Sequence, residues 1–327
     1  MTYARWAILG AGDISGFFAR ALPDSDLGRL HAVGARDVEA ARAFASAHGA
    51  PVAGTYDEIL ARSDIDAVYV GTVHSTHVEL VLAALDAGKA VLCEKPLGVD
   101  PIETDAALFA ADVAGLPLVE AFKYRFGPFP DALRDLIGSG GLGRVTEVST
   151  SIGFTAATRT GRLFDPAVAG GAILDAGCYP VSLAVGVAAW AGGDVASARV
   201  VTATGTIGET GVDVVAAADL DIDGVRARVR TAIVQDLPRS ARITGTAGTL
   251  EIENVWGSRF ESTSVAVLVR PDGTREPLEV ATVSPMAAEA DAVIRALREG
   301  RTEAPEMPWA ETRATARLLA EWRAALG

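Results

Sequence analysis

Two side chains far apart in the sequence, Lys95 and Tyr179, could together move a proton at neutral pH. Lys95 follows a short apolar run that we interpret as a buried strand ending at Glu94. Open parallel sheets bind ligands at the carboxyl ends of their strands, so a cation there is a functional candidate. Only three of the 29 basic residues are lysines, so this position indicates chemistry that uses a compact ammonium. The alternative is a lysine whose stem packs at a strand end.

Tyr179 lies four residues after Asp175, so the two side chains share a face if this segment is helical. All four histidines precede residue 78, which leaves the second half of the chain without an imidazole base. Tyr179 is therefore the best proton donor and acceptor in that half. A phenol with an ordinary pKa of about 10 needs a nearby cation at neutral pH, and Lys95 is the predicted cation. The alternative is a tyrosine packed at a helix start.

A glycine turn lies between the first predicted strand and the first helix. Gly10 and Gly12 lack a Cβ, so the backbone there can approach a pyrophosphate, and Asp13 and Ile14 open the helix whose N-terminus favours its charge. Ser15 replaces the third glycine of the usual fingerprint. We predict a dinucleotide site, and the alternative is a glycine turn without a ligand.

The end of the second predicted strand indicates which dinucleotide binds. NAD sites carry an acidic residue there, whereas a 2′-phosphate needs a cation. Ala35 occupies the position of the acid and Arg36 follows with a fork suited to phosphate. We therefore predict NADP, with NAD as the alternative cofactor, and expect Asp37 to cap the next helix.

A further polar group, Thr72, His74 and His77, follows the strand predicted over residues 67–71. The spacing of the histidines can serve a metal, but no second cluster of ligands accompanies them, so we predict no metal site. We expect them to face the nicotinamide ribose or to cap the following helix. Glu94 and Lys95 complete the predicted cofactor site.

The first 122 residues alternate apolar runs with alanine-rich helical spacing, the pattern of a parallel sheet covered on both faces. We predict an α/β, doubly wound domain over residues 1–122. Its predicted strands are 6–9, 30–35, 67–71, 90–94 and 117–121, and its predicted helices after the first are 38–48, 56–62, 77–87 and 101–114.

The rhythm changes after residue 122, where strands separated by turns predominate and Asp223-Gly224 is a hairpin signal. We predict a second domain over residues 123–327, of the α+β class, with a large, mostly antiparallel sheet. Its predicted strands are 145–154, 198–206, 212–222, 225–234, 241–244, 249–252 and 265–269, and its predicted helices are 129–137, 170–190, 287–298 and 309–326.

Composition excludes several classes of partner. The net charge of -13 argues against binding to nucleic acid or to an anionic membrane surface. The two cysteines, Cys93 and Cys178, lie in apolar segments and are too few for a disulfide framework. We see no secretion signal and expect a cytoplasmic protein.

The sequence resembles the glucose-fructose oxidoreductase, inositol dehydrogenase and MocA-like family over nearly its whole length. Within that family it is similar to the branch of dimeric dihydrodiol dehydrogenase and NADP-dependent D-xylose 1-dehydrogenase, in which tyrosine stands where many other members carry histidine. The motifs are Gly10-Ala-Gly12, Ala35-Arg36-Asp37, Glu94-Lys95-Pro96, Glu120-Ala-Phe-Lys-Tyr-Arg125, Gly170-Gly-Ala-Ile-Leu-Asp175 and Asp175-Ala-Gly-Cys-Tyr179. Lys123 and Gly127 depart from the apolar or larger residues common in the family.

The resemblance implies a Rossmann domain beside a domain whose open sheet forms a homodimer or homotetramer. It also implies that Lys95 and Tyr179 act at a substrate hydroxyl, with Asp175 orienting them. We expect hydride transfer to or from a sugar, at the anomeric carbon, or a vicinal diol. The rivals are an enzyme with permanently bound nicotinamide acting on glycosides and a non-catalytic dinucleotide or sugar sensor. Candidate substrate residues are Lys123, Tyr124, Arg125, Phe154, Arg159, Arg162 and Trp256.

Overall fold

The computed structural model describes residues 2–260 and 262–327. The first half of the chain forms a six-stranded sheet in the order β3-β2-β1-β4-β5-β6, and every strand pair in it is parallel. The doubly wound prediction is confirmed. The strands are β1 (Ala4–Leu9), β2 (Gly28–Gly34), β3 (Val52–Gly54), β4 (Ala67–Val70), β5 (Ala90–Glu94) and β6 (Leu118–Ala121).

Helices cover this sheet, and their ends follow local chemistry. Asp37 and Asp100 accept hydrogen bonds from backbone amides at the start of two helices, and Gly49 and Gly115 end the same helices in the left-handed conformation. These capped helices span the predicted residues. The helices are α1 (Asp13–Ala21), α2 (Val38–His48), α3 (Tyr56–Leu60), α4 (His77–Asp86) and α5 (Pro101–Ala114).

The second half forms a nine-stranded sheet in the order β15-β14-β13-β12-β7-β10-β9-β8, with β11 paired to β7. It is mostly antiparallel, as predicted, but β10 runs parallel to the central β7. The Asp223-Gly224 hairpin is confirmed, since Ile222 pairs with Val225. The strands are β7 (Val145–Thr155), β8 (Arg199–Ile207), β9 (Asp213–Ile222), β10 (Val225–Ala232), β11 (Val234–Leu237), β12 (Ala241–Gly245), β13 (Gly248–Ile252), β14 (Ser262–Val269) and β15 (Arg275–Thr282).

Three short or exposed strands, β3, β11 and β15, escaped the sequence prediction. β3 has only three residues, too few to show a period, and β15 alternates exposed and half-buried side chains without an apolar core. β3 and β15 lie at sheet edges, while the four-residue β11 pairs with β7 outside the main strand order. Short or exposed strands therefore account for the missed elements.

The helix predicted over residues 170–190 has two parts. A π-helical turn, Ile173–Gly177, precedes the regular helix α7 (Cys178–Trp190). The stretch 166–190 is apolar and long enough to cross a membrane. However, 89% of its most apolar 18 residues are buried inside the protein, as in a core helix. The other helices of this half are α6 (Pro128–Gly138), α8 (Pro285–Glu299) and α9 (Trp309–Ala324).

The last two helices return to the first domain. Asp291 of α8 accepts hydrogen bonds from Ser25 Oγ at 2.5 Å and from the amides of Asp26 and Leu27. Trp309 Nε1, at the start of α9, donates to the carbonyl of Leu118 in β6 at 2.9 Å. Residues 285–327 thus fix the two sheets relative to each other, although the predicted boundary assigns them to the second domain.

Candidate active site

The carboxyl ends of the central strands meet at one edge of the parallel sheet. Leu9 pairs with Val70, Val70 with Cys93, and Glu94 with Ala121. The loops that follow these four strands therefore emerge side by side. They carry the glycine turn, Thr72, Lys95 and Lys123, which the sequence separates by more than 100 residues.

The glycine turn forms an open cradle. Gly10 has a φ of +106°, and a Cβ on it would lie 2.8 Å from the Gly71 carbonyl oxygen, so the turn requires glycine. A Cβ on Gly12 would meet only that same oxygen, at 4.0 Å, so this position faces open space. No side chain caps α1, and its first residues Asp13 and Ile14 are accessible. Free amides beside a glycine that leaves room for close approach fit a pyrophosphate.

The end of β2 has the features expected of an NADP site. Ala35 is buried and brings no carboxylate, while Arg36 is exposed and forms no ion pair with any described residue. Asp37 instead accepts a hydrogen bond from the Glu39 amide at 2.9 Å, its predicted capping role. A free guanidinium without a competing acid suits a 2′-phosphate.

His74 and His77 are buried and neutral. His74 Nδ1 lies 3.0 Å from the Ala169 carbonyl oxygen, and His77 contacts the carbonyls of Pro96 and Thr72 at 2.8 and 3.3 Å. Burial lowers the pKa of His74 to about 3 and that of His77 to about 4. His77 therefore holds the loops after β4 and β5 together, and His74 ties the first of them to the second domain. Among the described residues no group of three potential metal ligands occurs.

Lys95 lies directly beneath the π-helical turn. Its Nζ donates to the Asp175 carbonyl oxygen at 2.5 Å, and the Asp175 carboxylate accepts from Arg162 Nη1 at 2.6 Å. Burial alone would lower the pKa of Lys95, but Cys178, Asp175 and Glu94 outweigh burial and raise it above its ordinary value. Lys95 is thus a cation at neutral pH. Burial would raise the pKa of Asp175, but Lys95 and Arg162 lower it, so the carboxylate is ionised.

Tyr179, the second residue of α7, faces Lys95 from the other domain. Lys95 Nζ lies 5.4 Å from the centroid of its ring. The rings of Phe122, Tyr124 and Trp256 surround it at 5.6, 5.7 and 5.5 Å between centroids. Its hydroxyl donates to no described residue, so it is free for a ligand. Burial, then the negative charge of Glu94, raises the pKa of Tyr179 well above its ordinary value, so the resting group is a neutral phenol. The expectation that Lys95 would lower this pKa is therefore wrong for the resting protein.

Glu94 is buried below this pair. Its carboxylate accepts from the Tyr69 hydroxyl at 2.7 Å, and burial raises its pKa. The Tyr69 ring in turn stacks on Phe18 of α1 at 4.0 Å. The Glu94 carboxylate therefore supports the strand end below Lys95 and is directed into the core.

Most of the predicted substrate residues have structural partners instead. Arg125 is fully buried, donates to Glu311 and is closed to any ligand, so the structure contradicts a substrate role for it. Trp256 is 1% exposed and packs against Tyr179, so it offers no free face to a sugar. Lys123 Nζ donates to the carbonyls of Trp256 and Ser258 at 2.5 and 3.4 Å. Arg125, Trp256 and Lys123 are residue types that suit a polar substrate pocket. Because they are buried, they support the residues around the site and do not contact a substrate.

The remaining candidates divide by exposure. Tyr124 is buried and donates to Ser182 Oγ at 3.0 Å. Phe154 is half-buried near the end of β7, and Arg159 is exposed. Arg162 is the residue whose role the sequence did not give: it pairs with Asp175, and nothing in the local pattern links positions 13 apart.

Fold and site together define a dinucleotide-dependent oxidoreductase built on a Rossmann domain. A family model described as an oxidoreductase family with an NAD-binding Rossmann fold matches residues 4–122, and one for the GFO/IDH/MocA C-terminal domain matches residues 131–251. The chain belongs to this GFO/IDH/MocA family.

Relatives extend the match to the whole chain. It is 34% identical to a trans-1,2-dihydrobenzene-1,2-diol dehydrogenase of Xenopus laevis, covering 99% of this chain and 98% of the relative. It is 33% identical to the protein of the same name from Mus musculus, covering 99% and 97%. A 3-ketoreductase from Actinomadura kijaniata, solved with NADP and TDP-benzene, matches with a TM-score of 0.88 at 26% identity, covering 99% and 98%.

Proposed function

We propose that this protein is an NADP-dependent oxidoreductase that transfers a hydride between the nicotinamide and the hydroxyl-bearing carbon of a sugar or a vicinal diol. One observation carries the proposal. Lys95 and Tyr179, from different domains, lie 5.4 Å apart, ammonium to ring centroid, at the sheet edge that also holds the open cradle at Gly12. The named activities of the diol dehydrogenases and the 3-ketoreductase support the substrate class.

The residues present fit this cofactor. Gly12 and the free amides of α1 would hold the pyrophosphate, and Arg36 would hold the 2′-phosphate. When bound, NADP supplies a hydride acceptor at nicotinamide C4, and its reduced form supplies the donor. Protein side chains must then manage the proton that accompanies the hydride.

In the direction of carbonyl reduction, the neutral Tyr179 phenol donates its proton to the substrate oxygen. The Lys95 ammonium stabilises the negative charge that develops on that oxygen before the proton arrives. Asp175 fixes Lys95 through its carbonyl oxygen, and Arg162 fixes the Asp175 carboxylate. Alcohol oxidation reverses both transfers and needs Tyr179 to accept a proton, so its rate should rise with pH.

An absorbance screen at the NADPH band tests the proposal directly. NADP and NAD are each incubated with aldoses, polyols, inositols and diols, and NADPH with the corresponding carbonyl compounds. We expect substrate-dependent formation of NADPH and weaker or no formation of NADH. Binding of NADPH without turnover on any substrate would contradict the proposal and favour a sensor. Product formation without net change in absorbance would favour permanently bound nicotinamide.

We also propose a homodimer or homotetramer that pairs the exposed face of the nine-stranded sheet, in a cytoplasmic protein. That face carries rows of paired charges, such as Arg226 with Glu147 and Arg242 with Glu251, which a second copy could match. Light scattering on the purified protein gives the number of subunits, and a monomer would contradict this proposal.

A further inference from the structure

One segment of the second domain contacts α1, the helix that follows the glycine turn. Residues 255–260, here called the cleft segment, lie in the connection between β13 and β14. Trp256 anchors its base: the indole Nε1 donates to the Ser151 carbonyl at 2.9 Å, and its carbonyl accepts from Lys123. Ser258 Oγ then accepts from the Phe260 amide at 3.0 Å, which forms the tip. The base is therefore fixed beside Tyr179, and the tip extends from it.

The tip of the cleft segment lies on α1. The guanidinium carbon of Arg259 is 4.3 Å from the centroid of the Phe17 ring, and the Phe260 ring is 6.4 Å from it. Phe17 is one turn into α1, whose uncapped first turn starts at Asp13. The guanidinium therefore lies against the N-terminal half of α1, the helix that follows the glycine turn.

The positive charge of Arg259 also affects the pKa values of two groups at the candidate active site. Burial raises the pKa values of Glu94 and Tyr179, and the Arg259 charge opposes that rise in both groups. Within the described part of the chain, Arg259 forms no ion pair with a carboxylate. Arg259 thus lies on α1 without a carboxylate partner among the described residues, and its positive charge acts on Glu94 and Tyr179.

We infer that Arg259 binds the pyrophosphate of the dinucleotide from the second domain, so that the cleft segment clamps the cofactor against α1. This inference rests on the proposed function for its ligand. A dinucleotide with its pyrophosphate at Gly12 and its nicotinamide at Lys95 would pass beside α1, the helix on which the Arg259 guanidinium lies. A guanidinium fork matches phosphate oxygens, and the flat Phe17 ring supports it by a cation–π contact. Trp256, near the other end of the segment, packs on Tyr179. The cleft segment therefore carries Arg259, the proposed cofactor contact, and also packs against Tyr179, the proposed proton donor.

Fluorescence titration of NADPH and NADH, which measures binding without turnover, tests the inference. We expect Arg259→Gln to raise the Kd of both dinucleotides by the same factor, about tenfold, because both contain the pyrophosphate. Arg259→Lys should retain part of the affinity. Arg36→Gln should weaken NADPH alone. Arg20→Gln is the matched control. Arg20 stacks on the same Phe17 ring at 4.6 Å, but its charge lies near His48, whose pKa is lowered by burial and then by Arg20.

Three outcomes would overturn the inference. These are an Arg259→Gln protein with unchanged Kd for both dinucleotides, one with a raised KM for the substrate only, and one in which Arg20→Gln has the same effect. If the wild type binds both dinucleotides with the predicted dependence on Arg259 yet turns over no substrate, the proposed function fails and the clamp stands. If the wild type turns over substrate and Arg259→Gln binds normally, the clamp fails and the function stands.

Discussion

Two lysine–tyrosine pairs lie near Trp256, and they differ in their access to a ligand. Lys95 and Tyr179 lie in the cleft, where the Tyr179 hydroxyl has no partner among the described residues. Lys123 and Tyr124 are buried, and their polar atoms bond to backbone carbonyls and to a serine hydroxyl. Tyr124 and Tyr179 both pack against Trp256, at 5.2 and 5.5 Å. Residue type therefore does not separate the reacting pair from the supporting pair; access to a ligand does.

Substitution of the two lysines should give the largest contrast. Lys95→Met removes the cation next to the reacting oxygen, and we expect kcat to fall about 10³-fold or more with little change in NADPH affinity. Lys123→Met, the matched control, should keep most of its turnover, because the Lys123 ammonium is buried against the backbone carbonyls of Trp256 and Ser258 and is closed to a substrate. Steady-state kinetics and NADPH titration give both results. Equal losses in the two variants would show that the distinction between the pairs is wrong.

The tyrosines provide a second, smaller contrast. Tyr179→Phe keeps the ring packing but removes the proton donor, so kcat should fall about 10²- to 10³-fold. Tyr124→Phe removes the hydrogen bond to Ser182, which should cost about 1 kcal/mol of stability and leave kcat near that of the wild type. Kinetics and urea unfolding of both variants measure the difference. A Tyr179→Phe enzyme with normal kcat would exclude this residue as the proton donor.

Two arginine–carboxylate pairs extend the comparison to stability. Arg125→Met leaves Glu311 buried without its cation, so the free energy of unfolding should fall by about 3–5 kcal/mol. Arg162→Met breaks the pair with Asp175, but the Arg162 side chain is 56% exposed, so the loss should be below about 1 kcal/mol. Arg162→Met should instead lower kcat, because Asp175 positions Lys95. Urea unfolding separates the two, and a stable Arg125→Met protein would contradict the structural role of this arginine.

The same contrast explains what the sequence could predict. Strand ends are local features, so Lys95 at the end of β5, Gly12 before α1 and the capping role of Asp37 were all visible from neighbouring residues. Arg125 and Trp256 were misjudged because their burial depends on segments far along the chain. Glu311 neutralises Arg125 from 186 positions away, and Ser151 satisfies the Trp256 indole from 105 positions away. Such partners leave no trace in the spacing of one segment.

The two lysines should also titrate differently, which gives the smallest and most specific test. Burial lowers the pKa of Lys123 from 10.5 to about 8, while the pKa of Lys95 is raised above 10.5. Between the folded and unfolded pKa values of Lys123 the unfolded chain binds more protons, so folding gains stability as pH rises through this window. For Lys95, stability is fully present below its unfolded pKa and is lost only as pH rises through its folded value.

The expected measurement is the free energy of unfolding between about pH 7 and about pH 10 for the wild type, Lys123→Met and Lys95→Met. The difference between wild type and Lys123→Met should grow in favour of the wild type above about pH 8, while the difference between wild type and Lys95→Met should stay constant. Subtracting the variant removes the tyrosines and other groups that titrate in the same range. Two parallel curves would mean that both ammonium groups have similar surroundings, and the separation of a reacting pair from a supporting pair would then lose its electrostatic basis.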